Sequence, residues 1–296
     1  MQRVKLSSQV EFSRIIYGMW RLKDDKNIST SHVQKKIELC LEQGITTFDQ
    51  ADIYGDYGAE EIFGNVLKRD KALREKIEII TKCNIIAPIG KYQNERLKYY
   101  DTSSEHIKKS VDASLQNMGI DCIDLLLLHR PDPFMDAKET GDTLDEIIKS
   151  GKVRSVGTSN FRPWDWSLLQ ESMKNKLITN QIEFSLINHE PLTNGDLSFH
   201  YQERTSVMAW SPLAGGALMA KGGKMKNFLE DVAKRYSCDP ASVALSWIIA
   251  HPSKILPVVG TNNLERISKL IEATEISIDR KTWFELYSAA IEKEVP

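Results

Sequence analysis

The sequence predicts an α/β protein, a (β/α)8 barrel in a single domain over residues 1–296, and three observations carry that prediction. Short apolar, β-branched runs alternate with longer amphipathic stretches, eight runs in all. One of them, Ile123 to Leu128, is nearly continuous in apolar residues, as a strand is when both faces are covered. Repeated βα units imply a parallel sheet, and 296 residues suit one closed barrel better than an open doubly wound sheet.

Taken in order, Ile15–Met19 reads as the first strand, followed by a helix that Ser31 caps and that runs to about Gln43, with Ile37 and Leu41 on its apolar face and Gly44 ending it. Ile45–Phe48 is the second strand and Glu60–Leu67 its helix. Ile77–Thr81 is the third; a loop containing Gly, Pro and Tyr then leads to Ser103 or Ser104, which opens a long helix to Met118. After the fourth strand come helix Thr140–Ser150, strand Val153–Gly157 and helix Pro163–Met173. Strands Ile178–Ile182 and Val207–Trp210 follow, then a helical pattern over Leu229–Ala250 that Asp239-Pro240 splits. Strand Ile255–Val259, helix Leu264–Ala273 and an amphipathic stretch Arg280–Ile291 complete the chain.

Composition narrows the function classes. A hydrophobic share of 41% and a charged share of 27% are those of an ordinary globular protein. Net charge is −2, and Lys and Arg are interspersed with Glu and Asp, so no basic surface for nucleic acid is expected. The first residues lack the apolar core of a signal peptide, and no apolar run approaches the ~20 residues that span a bilayer. A cytoplasmic protein without membrane contact is the expectation. Cys40, Cys83, Cys122 and Cys238 are scattered, with no CxxC pair, and read as idle thiols in a reducing compartment. The six histidines show no ligand spacing, so no metal is expected. Nothing in the sequence fixes an oligomeric state.

In a barrel of this kind, chemistry sits at the C-terminal ends of strands and in the loops that follow. Asp49 ends the second apolar run, Lys82 the third and His129 the fourth, while Tyr54 lies in the loop after Asp49. A carboxylate, a phenol, an ammonium and an imidazole thus meet on one rim. A phenol is a poor acid at neutral pH; a nearby ammonium favours its anion and is expected to lower its pKa. Asp49 would neutralise that ammonium, and His129 would orient a carbonyl oxygen beside the phenol. Each residue alone has a plainer reading: a turn-capping Asp, a loop-packing Tyr, a solvated Lys, a structural His. Their arrival on three successive strand ends is what the plainer readings leave unexplained.

At this point the sequence resembles the aldo-keto reductase family. The segment Asp49-Gln-Ala-Asp-Ile-Tyr54 is similar to the family's D-T-A-x-x-Y, Thr81-Lys82 to its lysine segment, and Leu127–Asp132 to its histidine segment. Lys152–Phe161, Asn180–Ile182, Ala209–Leu213 and Pro257–Arg266 resemble four further family blocks in the family's order. The Leu-rich block ending in His129-Arg-Pro-Asp is similar to the YdhF-like bacterial oxidoreductase branch.

The resemblance implies a barrel that binds NADP(H) without a Rossmann domain, and indeed neither GxGxxG nor GxxxxGK[ST] occurs here. NAD(H) is not excluded as an alternative. The implied activity is reduction of aldehydes or ketones to alcohols, with Tyr54 as general acid, Asp49 and Lys82 tuning it, and His129 orienting a small carbonyl substrate. Ser159, Asn160 and Gln181 would bind the nicotinamide carboxamide, Trp210 would stack on the ring, and Ser211 and Leu213 would line the pyrophosphate path. Gly260 belongs to the same cofactor-binding end, where Thr261 and Arg266 would hold the adenosine 2′-phosphate. A flat indole at a strand end suits stacking, and a cation at a helix start suits an anion.

Two departures stand out. Gln50 replaces the family's usual Thr or Ser beside the catalytic Asp, and Gly260 stands where many members have a phosphate-gripping lysine. Two rival readings are a Schiff-base enzyme with Lys82 as nucleophile and a cofactor-binding sensor without turnover. The first leaves Ser159, Asn160, Trp210 and Arg266 unexplained; the second leaves the four rim residues unexplained. Substrate choice is expected to lie in loops 85–101, 131–138 and 188–200.

Overall fold

A computed structural model describes residues 1–220 and 223–295. The chain opens with a small antiparallel hairpin, β1 (Arg3–Lys5) and β2 (Glu11–Ser13), paired Val4 to Phe12. Eight parallel strands then close a barrel: β3 (Ile16–Gly18), β4 (Thr47–Asp49), β5 (Glu78–Cys83), β8 (Ile123–Leu128), β9 (Val153–Ser159), β10 (Leu177–Glu183), β11 (Met208–Trp210) and β12 (Leu256–Val259). Closure runs through β12 and β3, with Val258 opposite Ile16. A second hairpin, β6 (Ile85–Ile86) with β7 (Tyr99–Tyr100), stands outside the barrel in the loop after β5.

The two-residue period of the strands sorts the core into an inner and an outer layer. Ile16, Ile80, Leu125, Leu127, Ile178, Met208, Leu256 and Val258 form one buried cluster, and Val4, Val10 and Phe12 of the first hairpin pack into it. The hairpin therefore plugs one end of the barrel. The alternate residues Tyr17, Phe48, Ile79, Leu126, Leu128 and Val156 belong to a separate cluster shared with the surrounding helices. Both layers draw on β8, which explains why its sequence is apolar throughout.

The eight predicted strands are all present, each within two residues of its expected start. Helix boundaries moved where capping decided them. Ser29, not Ser31, precedes helix Thr30–Glu42, and its hydroxyl bonds Asn27 rather than the helix. Ser103 is the cap of helix Ser104–Met118, its Oγ accepting from the His106 N–H at 3.3 Å. Asp239-Pro240 divides the long pattern into helices Lys224–Tyr236 and Pro240–Ile249, with Asp239 Oδ1 accepting from the Ala241 N–H at 2.8 Å. The stretch expected as helix Leu264–Ala273 is instead two single turns, Leu264–Ile267 and Glu272–Glu275. Among the described residues, no helix is long and apolar enough to cross a membrane.

Candidate active site

Asp49 is the last residue of β4 and Lys82 the second-to-last of the neighbouring β5, and both are buried. The Lys82 ammonium donates to Asp49 Oδ2 at 2.6 Å, to the Gln50 carbonyl at 2.9 Å and to Tyr54 Oη at 2.9 Å. An ammonium has three N–H groups, so its donors are fully used. The other carboxylate oxygen of Asp49 accepts from Gln181 Nε2 at 2.9 Å, across the barrel from β10. Pairing and hydrogen bonding together make two buried charges tolerable here.

Tyr54 begins a single turn, Tyr54–Tyr57, in which Gly55, Asp56 and Tyr57 are all left-handed, with φ of 56°, 53° and 64°. Glycine takes that conformation freely; Asp56 and Tyr57 do not, and are held in it from outside. The Tyr57 hydroxyl donates to the Ile85 carbonyl at 3.1 Å and accepts from the Ala87 N–H at 3.2 Å. The turn that presents Tyr54 is thus fastened to the β6–β7 hairpin.

The phenol receives a hydrogen bond from Lys82 and so keeps its own proton for another acceptor, the Asp49 carboxylate being one that attracts it. The ammonium was expected to lower the phenol's pKa. Burial wins instead: desolvation first, and then the Asp49 charge, hold Tyr54 well above the usual phenol range, with Arg130 pulling the other way. Burial likewise lowers Lys82, against the pull of Asp49. Tyr54 is a phenol, not a phenolate, across the neutral range.

His129 follows β8 and meets Tyr54 edge to face, ring centroids 5.9 Å apart. Its Nδ1 is buried and has no hydrogen-bond partner among the described residues. Burial, with Lys82 and Arg130 adding to it, keeps the imidazole well below its usual pKa and hence neutral. Asn84 holds this corner in place. Its backbone is left-handed at φ 92°, its side chain accepts from the Arg130 N–H at 3.1 Å, and its amide donates to the Arg130 carbonyl at 2.8 Å. Sequence reasoning passed over Asn84; the only signal was an Asn directly after a strand end, a residue type that tolerates left-handed backbone.

Ser159 ends β9, and Asn160, left-handed at φ 62°, turns the chain back across the rim. Asn160 Nδ2 donates to Ser159 Oγ at 2.9 Å and to the His129 carbonyl at 3.3 Å, and Asn160 Oδ1 accepts from Trp210 Nε1 at 2.9 Å. Ser159 Oγ donates to the Gln181 carbonyl at 2.8 Å. The predicted set Ser159, Asn160, Gln181 and Trp210 is therefore one connected patch that touches both Asp49 and His129. Arg130 lies over the Trp210 ring, 5.9 Å from its centroid.

Ser211 and Leu213 follow β11 in a loop of left-handed residues, and Gly215 and Gly216 there stand open, with room for a Cβ. Gly260 is different: a Cβ would stand 2.8 Å from the Gly18 carbonyl, so β12 and β3 approach too closely there for any side chain. A lysine here would have to push the Gly18 backbone aside. Beside it, the Tyr17 hydroxyl donates to the Thr261 carbonyl at 2.6 Å. Arg266 sits exposed in the turn Leu264–Ile267, capped by Asn263, whose Oδ1 accepts from the Arg266 N–H at 3.0 Å. Its neighbour Glu265 is engaged by Lys269 at 3.0 Å, and Arg266 has no ion pair among the described residues. Trp210 ends β11 and Thr261 follows its neighbour β12, so the two stand on adjacent strand ends of the rim. Gln50, the unusual residue, does not reach Tyr54: its side chain donates to Met19 Sδ at 3.0 Å, and only its carbonyl meets Lys82.

Comparison with known proteins agrees with the barrel fold. The model of the Aldo/keto reductase family matches residues 14–291. A 6-dehydroglucose reductase of Agrobacterium fabrum is 57% identical over 297 residues, covering all of both chains. The oxidoreductase YdhF of Escherichia coli is 40% identical over 300 residues, again covering all of both. Among solved structures, an aldo/keto reductase from Klebsiella pneumoniae in complex with NADP and acetate shares the fold with a TM-score of 0.80 at 21% identity, covering 96% of this chain and 93% of that one. A match along nearly the whole chain and close relatives of equal length lead to one conclusion: this chain belongs to the Aldo/keto reductase family of oxidoreductases.

Proposed function

We propose that the protein reduces aldehydes or ketones to alcohols with NADPH, and that Tyr54 gives the carbonyl oxygen its proton. The observation that carries this reading is the direction of one hydrogen bond: Lys82 donates to Tyr54 Oη, so the phenol cannot spend its own proton on Lys82. That proton, which Asp49 also attracts, passes to the carbonyl oxygen, and the oxygen it leaves behind stays 2.9 Å from an ammonium. Asp49 keeps that ammonium charged and in place. His129, neutral and with an unpartnered ring nitrogen, orients the carbonyl oxygen from the other side.

The rim fits the cofactor on this structure's own terms. Ser159, Asn160 and Gln181 bring carboxamide-sized polar groups together beneath Trp210, whose indole N–H is already fixed by Asn160. Ser211 and Leu213 border the open glycine loop, Gly260 lets β12 and β3 approach closely, and Thr261 with Arg266, which has no ion pair among the described residues, meets the 2′-phosphate end. When bound, the reduced nicotinamide supplies the hydride. NADPH over NADH then rests on Arg266, because the position of Gly260 has no space for a cation. Lys82 has no free N–H and its charge is paired, which disfavours its use as a Schiff-base nucleophile.

The full-length relative named a 6-dehydroglucose reductase makes a sugar bearing an aldehyde at C6 the first substrate to offer. The test is NADPH consumption with that aldehyde and a panel of simple aldehydes, with the alcohol product quantified. One alcohol formed per NADPH consumed is the expected result. NADPH binding without turnover on any of them would favour a sensor instead.

A further inference from the structure

Two residues before Tyr54 lies a carboxyl group that the mechanism above does not use. Asp52 is 5% exposed, and neither of its carboxyl oxygens has a hydrogen-bond partner among the described residues. Only its backbone is engaged, the N–H donating to the Lys82 carbonyl at 3.0 Å. We propose that Asp52 is a positioning residue that acts as a neutral carboxylic acid, and that its ionisation turns Tyr54 into a poorer proton donor. This rests on the reading of Tyr54 as the donor.

The groups facing Asp52 explain why it has no counter-ion. Lys82, from β5, has spent its three N–H groups on Asp49, Gln50 and Tyr54. Lys91, from the turn Gly90–Tyr92, lies instead over the rings of Tyr57 and Tyr92, 5.0 and 5.1 Å from their centroids. Glu60, from helix Ala59–Arg69, is a second buried acid, but its oxygens accept from Thr81 Oγ1 at 2.6 Å and Asn117 Nδ2 at 3.3 Å. Cys83, Tyr57 and Tyr92 complete the surroundings and offer no positive charge. Burial raises both acids, but in Glu60 the bonds from Thr81 and Asn117 favour the ionised form and oppose it. Burial above all, with Glu60 adding to it, pushes Asp52 up to about 8.

With Asp52 neutral, the Lys82 charge is balanced by Asp49 alone. Ionised, Asp52 brings a second negative charge to the cluster, and the negative field makes Tyr54 hold its proton more tightly. Reduction needs that proton to leave, so the rate falls as Asp52 ionises. Tyr54 itself titrates well above this range, so a limb near pH 8 is not its own.

The readout is the ratio of reductive kcat/KM at pH 9 to that at pH 7, at saturating NADPH. If only the neutral acid is competent, the wild-type ratio is about 0.1, a tenfold fall per unit above the pKa. Asp52→Asn is expected to bring the ratio close to unity, and Glu60→Gln, which removes a charge that raises Asp52, to keep the limb but move it to lower pH. An unchanged ratio in Asp52→Asn, or loss of the limb in Glu60→Gln instead, overturns the proposal. A second measurement needs no turnover and no variant that must fold well: difference infrared spectra of the wild-type protein between pH 7 and 9. A protonated-carboxyl C=O band that disappears across that interval is expected, and its absence overturns the proposal. A Tyr54→Phe enzyme with undiminished reduction would instead sink the underlying role of Tyr54, whatever the infrared band does.

Discussion

Lys82 Nζ stands 2.9 Å from Tyr54 Oη and donates to it, while Asp49 Oδ2, 2.6 Å away, holds the ammonium from behind. The order of these three groups sets what each variant should do. Removing Lys82 leaves Asp49 as a buried carboxylate with only Gln181 to satisfy it. Lys82→Met is therefore expected to lose about 3–5 kcal/mol of stability as well as most activity. Adding Asp49→Asn should recover much of the stability and none of the turnover. Urea unfolding alongside NADPH-coupled rates separates the two effects; a double variant no more stable than the single one would argue against a buried ion pair.

Asn84 separates backbone strain from hydrogen bonding. Its φ of 92° suits glycine, while its side chain carries both bonds to the Arg130 backbone. Asn84→Gly should retain the turn and Asn84→Ala should strain it, a difference of about 1 kcal/mol in unfolding free energy. Both variants free the corner that holds His129, so both should lower kcat/KM by a similar factor, about tenfold. A normal rate in Asn84→Gly would mean that His129 needs no such support.

Much of this site was legible because polar residues ending apolar strands are out of place by pattern. Asp49, Lys82 and His129 were found in that way, and Tyr54 by its place in the loop between them. What remained hidden depends on three-dimensional closure or on burial. Asp49 and Gln181 are far apart in sequence and meet only because the barrel closes. The first hairpin has strands of three residues, too short for periodicity to register. The direction of the Tyr54 shift was misjudged because sequence shows which charges are near but not how deeply the phenol is buried. Helix Leu264–Ala273 is interrupted between Ile267 and Glu272, where the sequence carries no Gly or Pro to mark a break.

The cofactor end offers a specificity test. Arg266→Ala should raise the KM for NADPH about tenfold or more and leave that for NADH nearly unchanged, since the loss is of one charge-assisted contact. Gly260→Lys should not improve NADPH binding. Its Cβ would meet the Gly18 carbonyl at 2.8 Å, and thermal unfolding should show a loss of about 1–3 kcal/mol. Equal changes in KM for both cofactors in Arg266→Ala would place the 2′-phosphate elsewhere.

His129 predicts a feature of the acid side. Burial first, then Lys82 and Arg130, keep its pKa well below 6.5, so the imidazole is already neutral there. The pH profile of reduction should be flat from about pH 5.5 to 7, without the limb an ordinary histidine gives. A tenfold drop across that interval that disappears in His129→Asn would show that the imidazole titrates normally.

The central claim is that the phenol of Tyr54 is the proton donor. Tyr54→Phe removes the hydroxyl that Lys82 contacts and keeps the ring that packs against His129. NADPH affinity, read by tryptophan fluorescence, should stay within about twofold, while the single-turnover rate of carbonyl reduction falls by about 10²–10⁴. A Tyr54→Phe enzyme that binds NADPH and reduces the same aldehyde at the parent rate would contradict the account.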